Sequence, residues 1–169
     1  MAVSLQIKQS LSSIKIMMIE DDNIMAVLIR DVLDIMGFRN FVFYKDAKLA
    51  LEDIYKNHYD LILCDWKMPG MSGIEFTKAL RAYEVSTKRF TPLIMITGKA
   101  QEEDVRLARD AGVTEYLIKP FSVVGMCDKI KAILERPRDF VISSDYIGPD
   151  RRRREQPGLI PNGVDRRKG

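Results

Sequence analysis

The sequence has no apolar run long enough to cross a membrane, and it contains only two cysteines. Its first residues lack the charged start followed by an apolar core that marks a secretory signal peptide. Cys64 and Cys127 do not have the spacing of metal ligands, and both are interpreted as buried structural thiols. These absences exclude a thiolate metal site and predict a cytoplasmic location.

The formal net charge is +3, but most of the chain has no excess of either positive or negative charge. Residues 136–169 contain nine Lys and Arg against five acids, which gives them a net charge of +4. Residues 1–135 contain 18 basic and 19 acidic residues, which gives a net charge of −1. The basic character therefore belongs to the C-terminal region.

With 169 residues, 46% of them hydrophobic, the chain is long enough for one ordinary domain and a tail. Short apolar runs, typical of strands buried on both faces, alternate with segments of helical periodicity. Strands are predicted at 14–20, 41–44, 60–65, 91–97 and 113–119, and helices at 22–36, 46–57, 72–83, 101–111 and 122–135. Ser72 and Glu75 have the spacing of a capping box at the third of these helices.

Five strands that alternate with five helices predict an α/β fold with a doubly wound, five-stranded parallel sheet of order 2-1-3-4-5. In such sheets ligands bind at the carboxyl ends of the strands, where the strand order reverses. Polar residues at the strand ends are therefore expected to lie together. A nucleotide-binding Rossmann domain is excluded, because no Gly-x-Gly-x-x-Gly follows the first strand.

Three acidic residues, Glu20, Asp21 and Asp22, lie where the first predicted strand leads into a helix. Carboxylates favour a helix N-terminus, and Asp22 is interpreted as a cap of this kind. Two further acids are more than a cap needs, and Asp65 is expected nearby. Crowded carboxylates raise one another's pKa unless a cation lies among them, and oxygen ligands suit Mg²⁺. Metal binding is thus predicted here, with capping as the alternative.

Asp65 ends an otherwise apolar strand and precedes Trp66. The acid either terminates the strand or is a nucleophile that forms an aspartyl phosphate. In the second case a neighbouring metal would neutralise the phosphoryl oxygens, and the protein would supply positioning and charge stabilisation. Backbone groups of the turn at 66–68 could add an oxygen to the metal site.

Thr97 and Lys119 end the fourth and fifth predicted strands. A threonine in this place is usually a packing residue or a helix cap, and most strand-end lysines are solvated. Beside a phosphoryl group, Thr97 could instead donate a hydrogen bond, and Lys119 could supply a positive charge. Pro120 restricts Lys119 to an extended conformation, and a cis bond before Pro120 could direct its side chain.

Four motifs occur at these positions in order: MMIEDDN, LILCDWKMPGMSG, LIMITG and YLIKPF. They resemble the CheY-like receiver domains of two-component response regulators, and the resemblance covers about residues 14–135. It implies a flavodoxin-like, CheY-like fold with Asp65 as the phospho-acceptor. It also implies that Glu20 and Asp21 hold Mg²⁺ or Mn²⁺ together with Asp65 and the backbone carbonyl of Lys67.

The resemblance implies roles for three further residues. Thr97 and Lys119 would bind the phosphoryl group. Tyr116 would be the aromatic switch residue, which turns inward when Thr97 moves toward the phosphate. A half-buried strand residue is the alternative interpretation of Tyr116.

The function implied is that of a signalling switch. A histidine kinase or histidine phosphotransfer protein would phosphorylate Asp65, and the phosphorylated chain would signal through an output protein. It would not be an enzyme, beyond catalysing its own phosphorylation and dephosphorylation. The alternatives are a phosphate shuttle or sink in a phosphorelay and a metal-dependent phosphohydrolase, which would need an acid in place of Lys67. Lys67 and Lys99 occupy positions that vary within the family and set how long the phosphate lasts. Most response regulators also carry an output domain, and a DNA-binding one would not fit in the remaining residues.

The predicted organisation is an N-terminal extension at 1–13, a receiver domain at 14–136 and an Arg-rich tail at 137–169, disordered or lightly docked. Truncation after Arg136 is expected to leave stability unchanged. A short pattern occurs twice in the tail, formed by Asp150, Arg151 and Arg152 and by Asp165, Arg166 and Arg167. The pattern is interpreted either as part of a solvated basic tail or as a motif for an acidic partner or a membrane surface. Nucleic acid is disfavoured, because the acids dilute the charge.

Overall fold

A computed structural model describes residues 11–98 and 101–152 of the chain. Its main sheet contains five strands: β1 Lys15–Ile19, β2 Asn40–Tyr44, β3 Leu61–Asp65, β4 Leu93–Thr97 and β5 Glu115–Ile118. The strand order is β2-β1-β3-β4-β5, and each neighbouring pair is parallel. The predicted doubly wound α/β topology is therefore confirmed.

Five α-helices follow the strands in turn: α1 Asn23–Met36, α2 Ala47–Lys56, α3 Gly73–Ala82, α4 Glu102–Asp110 and α5 Val123–Glu135. The predicted strand and helix bounds lie within two residues of these. The described ranges also contain a helical turn at 11–13, a 3-10 helix at Thr87–Phe90 and a hairpin of β6 Phe140–Ile142 and β7 Ile147–Pro149, which the sequence does not predict. In these ranges no helix has the length and apolarity to span a bilayer.

Side-chain caps fix the starts of two helices that border the loops at the carboxyl edge of the sheet. Asp22 caps α1 by accepting hydrogen bonds from the backbone N–H groups of Ile24 and Met25, at 2.8 and 3.1 Å. The Ser72 hydroxyl accepts from the Glu75 N–H, and the Glu75 carboxylate accepts from the Ser72 N–H at 2.8 Å. The predicted capping box is therefore confirmed, and it anchors the loop that follows β3.

The core consists of two apolar layers, one on each face of the main sheet. Alternate residues of the central strands enter opposite layers, as expected for a sheet buried on both faces. The first layer includes Met17, Ile62 and Met95, and the second includes Met18, Leu63 and Ile94. Cys64 is fully buried in the first layer, and burial raises the pKa of its thiol. Cys127 is only partly buried, so the interpretation as a buried thiol is right for Cys64 alone.

The β6–β7 hairpin lies in the region predicted as a disordered or lightly docked tail. Its strands pair antiparallel, and the Phe140 ring contacts the Phe90 ring edge to face, with centroids 5.4 Å apart. Part of this region therefore packs on the domain through side-chain contacts. Residues 1–10 and 153–169 lie outside the described residues, and the predicted domain boundaries stay predictions.

Candidate functional site

Four polar side chains meet at the carboxyl edge of the sheet: Glu20, Asp65, Thr97 and Lys119. The Lys119 ammonium nitrogen Nζ lies 2.5 Å from Asp65 Oδ1 and 3.1 Å from Glu20 Oε2. Lys119 is 54 residues from Asp65 and 99 residues from Glu20 along the chain. The contacts therefore depend on the parallel strand order, which places the ends of β1, β3, β4 and β5 side by side.

Glu20 is almost completely buried, with 3% of its surface exposed. Its Oε1 accepts a hydrogen bond from the backbone N–H of Asp22 at 3.2 Å. Burial and the nearby charge of Asp65 raise the pKa of Glu20, and the contact with Lys119 opposes this shift. The negative charge of the two acids is therefore only partly compensated, which favours the binding of another cation.

The backbone around Asp65 fixes the direction of its carboxylate. Asp65 Oδ2 accepts a hydrogen bond from the Lys67 N–H at 2.9 Å, and the Trp66 N–H donates to the Ile96 carbonyl at 2.9 Å. Helix α3 begins so close to β3 that a Cβ atom at Gly73 would overlap the Asp65 carbonyl oxygen. Glycine is thus required at 73 for close packing, whereas the sequence indicates only backbone freedom in this turn.

Lys119 is a shared partner of both buried acids. Burial alone would lower its pKa, but hydrogen bonds and charge attraction from Asp65 and Glu20 raise the pKa overall. The Lys119–Pro120 peptide bond is cis, and the Lys119 N–H donates to the Thr97 carbonyl oxygen at 2.6 Å. Lys119 is therefore a charged group held at the site rather than a solvated strand-end lysine.

Three carboxylates form a potential metal site. Glu20, Asp21 and Asp65 each offer one oxygen, and these oxygens lie within 4.8 Å of one another. Asp21 is more open to solvent than the other two acids, so water can complete the coordination. An all-oxygen set with water access suits Mg²⁺ or Mn²⁺, and the residues present therefore fit the predicted metal. The carbonyl of Lys67 stays a predicted ligand, since its N–H is the group that contacts Asp65.

Thr97 connects the site to an aromatic pair. It is 2% exposed, and a hydrogen bond joins its side chain to that of Tyr116. Burial raises the pKa of Tyr116, and the hydrogen bond with Thr97 opposes the shift. The Tyr116 ring packs edge to face against Trp66, with centroids 6.2 Å apart. Trp66 directly follows Asp65, so a short series of contacts joins the predicted acceptor to β5. Sequence reasoning linked Thr97 with Tyr116 through the resemblance but missed the contact of Trp66 with Tyr116.

The first copy of the repeated tail pattern makes contacts away from these acids. Asp150 Oδ1 accepts a hydrogen bond from the Arg152 N–H at 3.0 Å. Arg151 pairs with Asp110 at the end of α4, at 3.0 Å, and its guanidinium lies 3.9 Å from the centroid of the Tyr146 ring. The second copy, which contains Asp165, Arg166 and Arg167, lies outside the described residues. The proposed binding role of the pattern stays a prediction.

Comparison with known proteins connects this geometry to curated relatives. The chain is 34% identical over 122 residues to the chemotaxis protein CheY of Pseudomonas aeruginosa, a match that covers 72% of this chain and 97% of the relative. It is 35% identical over 124 residues to the chemotaxis protein CheY-3 of Vibrio cholerae, which covers 73% and 94%.

Solved structures show the same similarity. The receiver domain of Francisella response regulator 1452 matches with a TM-score of 0.66 and 29% identity, over 73% of this chain and 98% of that one. The receiver domain of the sensor histidine kinase PA1611 of Pseudomonas aeruginosa matches with a TM-score of 0.62 and 28% identity, over 69% and 93%. That structure has a magnesium ion coordinated in its active-site cleft.

The family model described as the response regulator receiver domain matches residues 16–131. That range includes β2 to β5, all of β1 except Lys15, and the four polar residues at the carboxyl edge of the sheet. It stops before the β6–β7 hairpin. The chain therefore belongs to the response regulator receiver domain family, with a role in two-component phospho-signalling.

Proposed function

We propose that the chain is a phosphorylation-dependent switch that accepts a phosphoryl group on Asp65. The donor is a histidine kinase or a histidine phosphotransfer protein. The observation that carries this proposal is the position of Asp65 among a cation and two further acids. Lys119 Nζ lies 2.5 Å from its Oδ1, and the oxygens of Glu20 and Asp21 lie within 4.8 Å of its own.

In the proposed reaction a carboxylate oxygen of Asp65 forms a bond to phosphorus as the bond from phosphorus to the donor's imidazole nitrogen breaks. The imidazole leaves with the electron pair of that bond. The Lys67 N–H orients the Asp65 carboxylate from one side, through Oδ2. Lys119, attached to β5, supplies positive charge on the other side, where the phosphoryl oxygens would lie. Glu20, Asp21 and Asp65 would hold Mg²⁺, which would supply further neutralisation of those oxygens.

Phosphorylation would then alter the contacts of Thr97 and Tyr116. A phosphoryl group on Asp65 offers acceptor oxygens to the Thr97 hydroxyl, which contacts Tyr116 in this structure. A change of partner at Thr97 would shift the population of arrangements of Tyr116 and α4, and an output protein would recognise the new surface. The chain works as a binding module in this scheme, and its chemistry is limited to its own acyl phosphate. The predicted cytoplasmic location stays a prediction.

The acceptor is tested by labelling the full chain with a small phosphodonor in the presence of Mg²⁺. The wild-type chain should gain one acid-stable, base-labile phosphate, and Asp65→Asn should gain none. Asp22→Asn is the matched control, because Asp22 is a nearby helix cap and asparagine retains that cap. Equal labelling of Asp65→Asn and the wild-type chain would contradict the assignment.

A further inference from the structure

The segment that follows α5 contacts α4 and β5 on the face that these elements form with α5, and it lies beyond the part of the chain that matches the family. Arg138 donates to Glu115 of β5 at 3.0 Å, and Arg151 pairs with Asp110 of α4 at 3.0 Å. The Tyr146 hydroxyl donates to the Pro149 carbonyl oxygen at 2.9 Å. Residues 138–151, here named the C-terminal segment, therefore extend this face with side chains of their own.

A buried arginine shows that the C-terminal segment is packed as part of the domain. Arg81 of α3 is 3% exposed and donates to the Gly112 carbonyl oxygen at 3.0 Å. Its guanidinium lies 5.0 Å from the centroid of the Phe140 ring, which covers it. Gly112 has a φ of +91°, and a Cβ atom there would lie 2.5 Å from the Ile147 carbonyl oxygen. The backbone of the segment thus sits directly against the loop between α4 and β5.

A groove of about 490 Å³ lies between the C-terminal segment and the α4–β5–α5 face. Apolar and aromatic groups form much of its lining, with Val105 and Tyr116 on the domain side and Tyr146 and Pro149 on the segment side. Tyr116 is also the residue that contacts Thr97 at the phospho-acceptor site. One wall of the groove therefore belongs to the switch proposed above, and the opposite wall belongs to this chain's own extension.

The groove carries an excess of positive charge. Its described lining contains four cations, Arg109, Lys129, Arg138 and Arg151, and one acid, Glu115. The two oxygens of Glu115 are each paired, with Lys129 at 2.7 Å and Arg138 at 3.0 Å. The side chains of Lys129, Arg138 and Arg151 remain 37%, 36% and 41% exposed. They can therefore contact a ligand without losing the pairs that hold them in place.

We infer that this groove binds a short acidic segment of a protein partner, with Arg138 and Arg151 of the C-terminal segment as specific contacts. The charge excess selects carboxylates, and the aromatic and apolar lining accepts the side chains between them. A membrane surface or a nucleic acid fits less well, because the groove is concave and its described lining includes an acid, Glu115. The inference rests on the proposed function in one respect only, since phosphorylation would act on binding through Tyr116.

The test uses the full chain and a short fluorescein-labelled peptide in which glutamates alternate with leucines, with binding followed by fluorescence anisotropy. Arg138→Gln with Arg151→Gln should weaken binding about tenfold, since two charge contacts are lost. Lys56→Gln with Lys131→Gln removes the same charge outside the groove lining and should leave binding unchanged. Arg138→Lys with Arg151→Lys keeps the charge and should retain most of the affinity. Equal affinities in the first two pairs would overturn the inference.

Two further experiments test other ligands for the groove and distinguish a failure of this inference from a failure of the proposed function. A peptide with lysine in place of glutamate, anionic vesicles and duplex DNA should each bind more weakly than the acidic peptide, and tighter binding of any of them would overturn the choice of partner. Beryllofluoride, a phosphate mimic, should change the peptide affinity of the wild-type chain but not of Asp65→Asn. Peptide binding that persists without any labelling of Asp65 would contradict the proposed function and support the groove.

Discussion

The proposed phospho-acceptor site and the C-terminal groove have opposite charge arrangements. At the acceptor site one cation, Lys119, serves two buried acids, Glu20 and Asp65. In the groove one acid, Glu115, is served by two cations. The first region is short of positive charge and the second is short of negative charge. Each imbalance indicates the kind of ligand that the region can accept.

The two charge imbalances differ in electrostatic strength, because the acceptor site is more deeply buried than the groove. The side chains of Glu20 and Asp65 are 2% and 8% exposed, so water screens their repulsion poorly. Burial raises the pKa of Glu20, and the charge of Asp65 raises it further through that repulsion. The cations of the groove are more than a third exposed, and salt and water weaken their interactions. We therefore expect cation binding that salt weakens little at the first region and salt-dependent binding at the second.

The largest expected effect comes from removing the groups that would read the phosphate. Lys119→Ala and Thr97→Ala should each abolish the amide NMR shifts that beryllofluoride produces around Tyr116 in the wild-type chain. The reason is that the charge or the hydroxyl that contacts the phosphate mimic is gone. Both variants should still bind Mg²⁺. Lys56→Ala serves as the control, and full-size shifts in either site variant would contradict the switch mechanism.

The next effect concerns the metal site. Glu20→Gln with Asp21→Asn should weaken Mg²⁺ binding about 100-fold, or roughly 3 kcal/mol, because two of the three carboxylate ligands lose their charge. Trp66 follows Asp65 directly, so its fluorescence should report the titration. If the curves of this variant and the wild-type chain coincide, the acidic pair serves only the helix.

An intermediate effect is expected where the C-terminal segment packs on the domain. The sequence predicts that truncation after Arg136 leaves stability unchanged, but the contact of Phe140 with Arg81 and Phe90 changes that expectation. Phe140→Ala should lower the free energy of unfolding by about 2 kcal/mol, measured with a chemical denaturant. Ile142→Ala, whose side chain is 62% exposed, is the control and should have little effect. Equal stabilities of the two variants would show that the segment is only lightly attached.

The smallest effect should come from Glu115 in the groove lining. Glu115→Gln removes the single acid of its described lining and should strengthen binding of the acidic peptide about threefold. The free energy of unfolding should fall by less than about 1 kcal/mol, because the lost pairs are partly exposed. Weaker peptide binding by this variant would mean that Glu115 positions Lys129 and Arg138 for the ligand.

The fold and the positions of the site residues follow from local features of the sequence. Glu20, Asp65, Thr97 and Lys119 each come at or directly after the end of an apolar strand, and a parallel sheet places such ends side by side. Strand order and the meeting of these residues could therefore be predicted without knowledge of side-chain contacts. Their chemical roles come from the family resemblance and remain proposals.

The hairpin and the groove could not be predicted in the same way. The two strands of the hairpin are only three residues long, too short to show an alternating pattern of apolar and polar residues. Arg81 lies in an amphipathic helix and resembles a solvated residue until the loop at Gly112 and the ring of Phe140 cover it. The contact of Trp66 with Tyr116 likewise depends on side-chain orientation, which sequence spacing does not determine.

The position of Lys119 between Glu20 and Asp65 has a consequence for how the chain responds to its surroundings. Lys119, which directly follows β5, competes with any dissolved cation for the same two carboxylates, and its effective concentration there does not change with dilution. The observed free energy of metal binding would therefore be the difference between two quantities. One is the free energy of the metal's contacts with the acids, and the other is the free energy of the Lys119 contacts that the metal replaces. The occupancy of such a site therefore follows changes in the metal concentration around it.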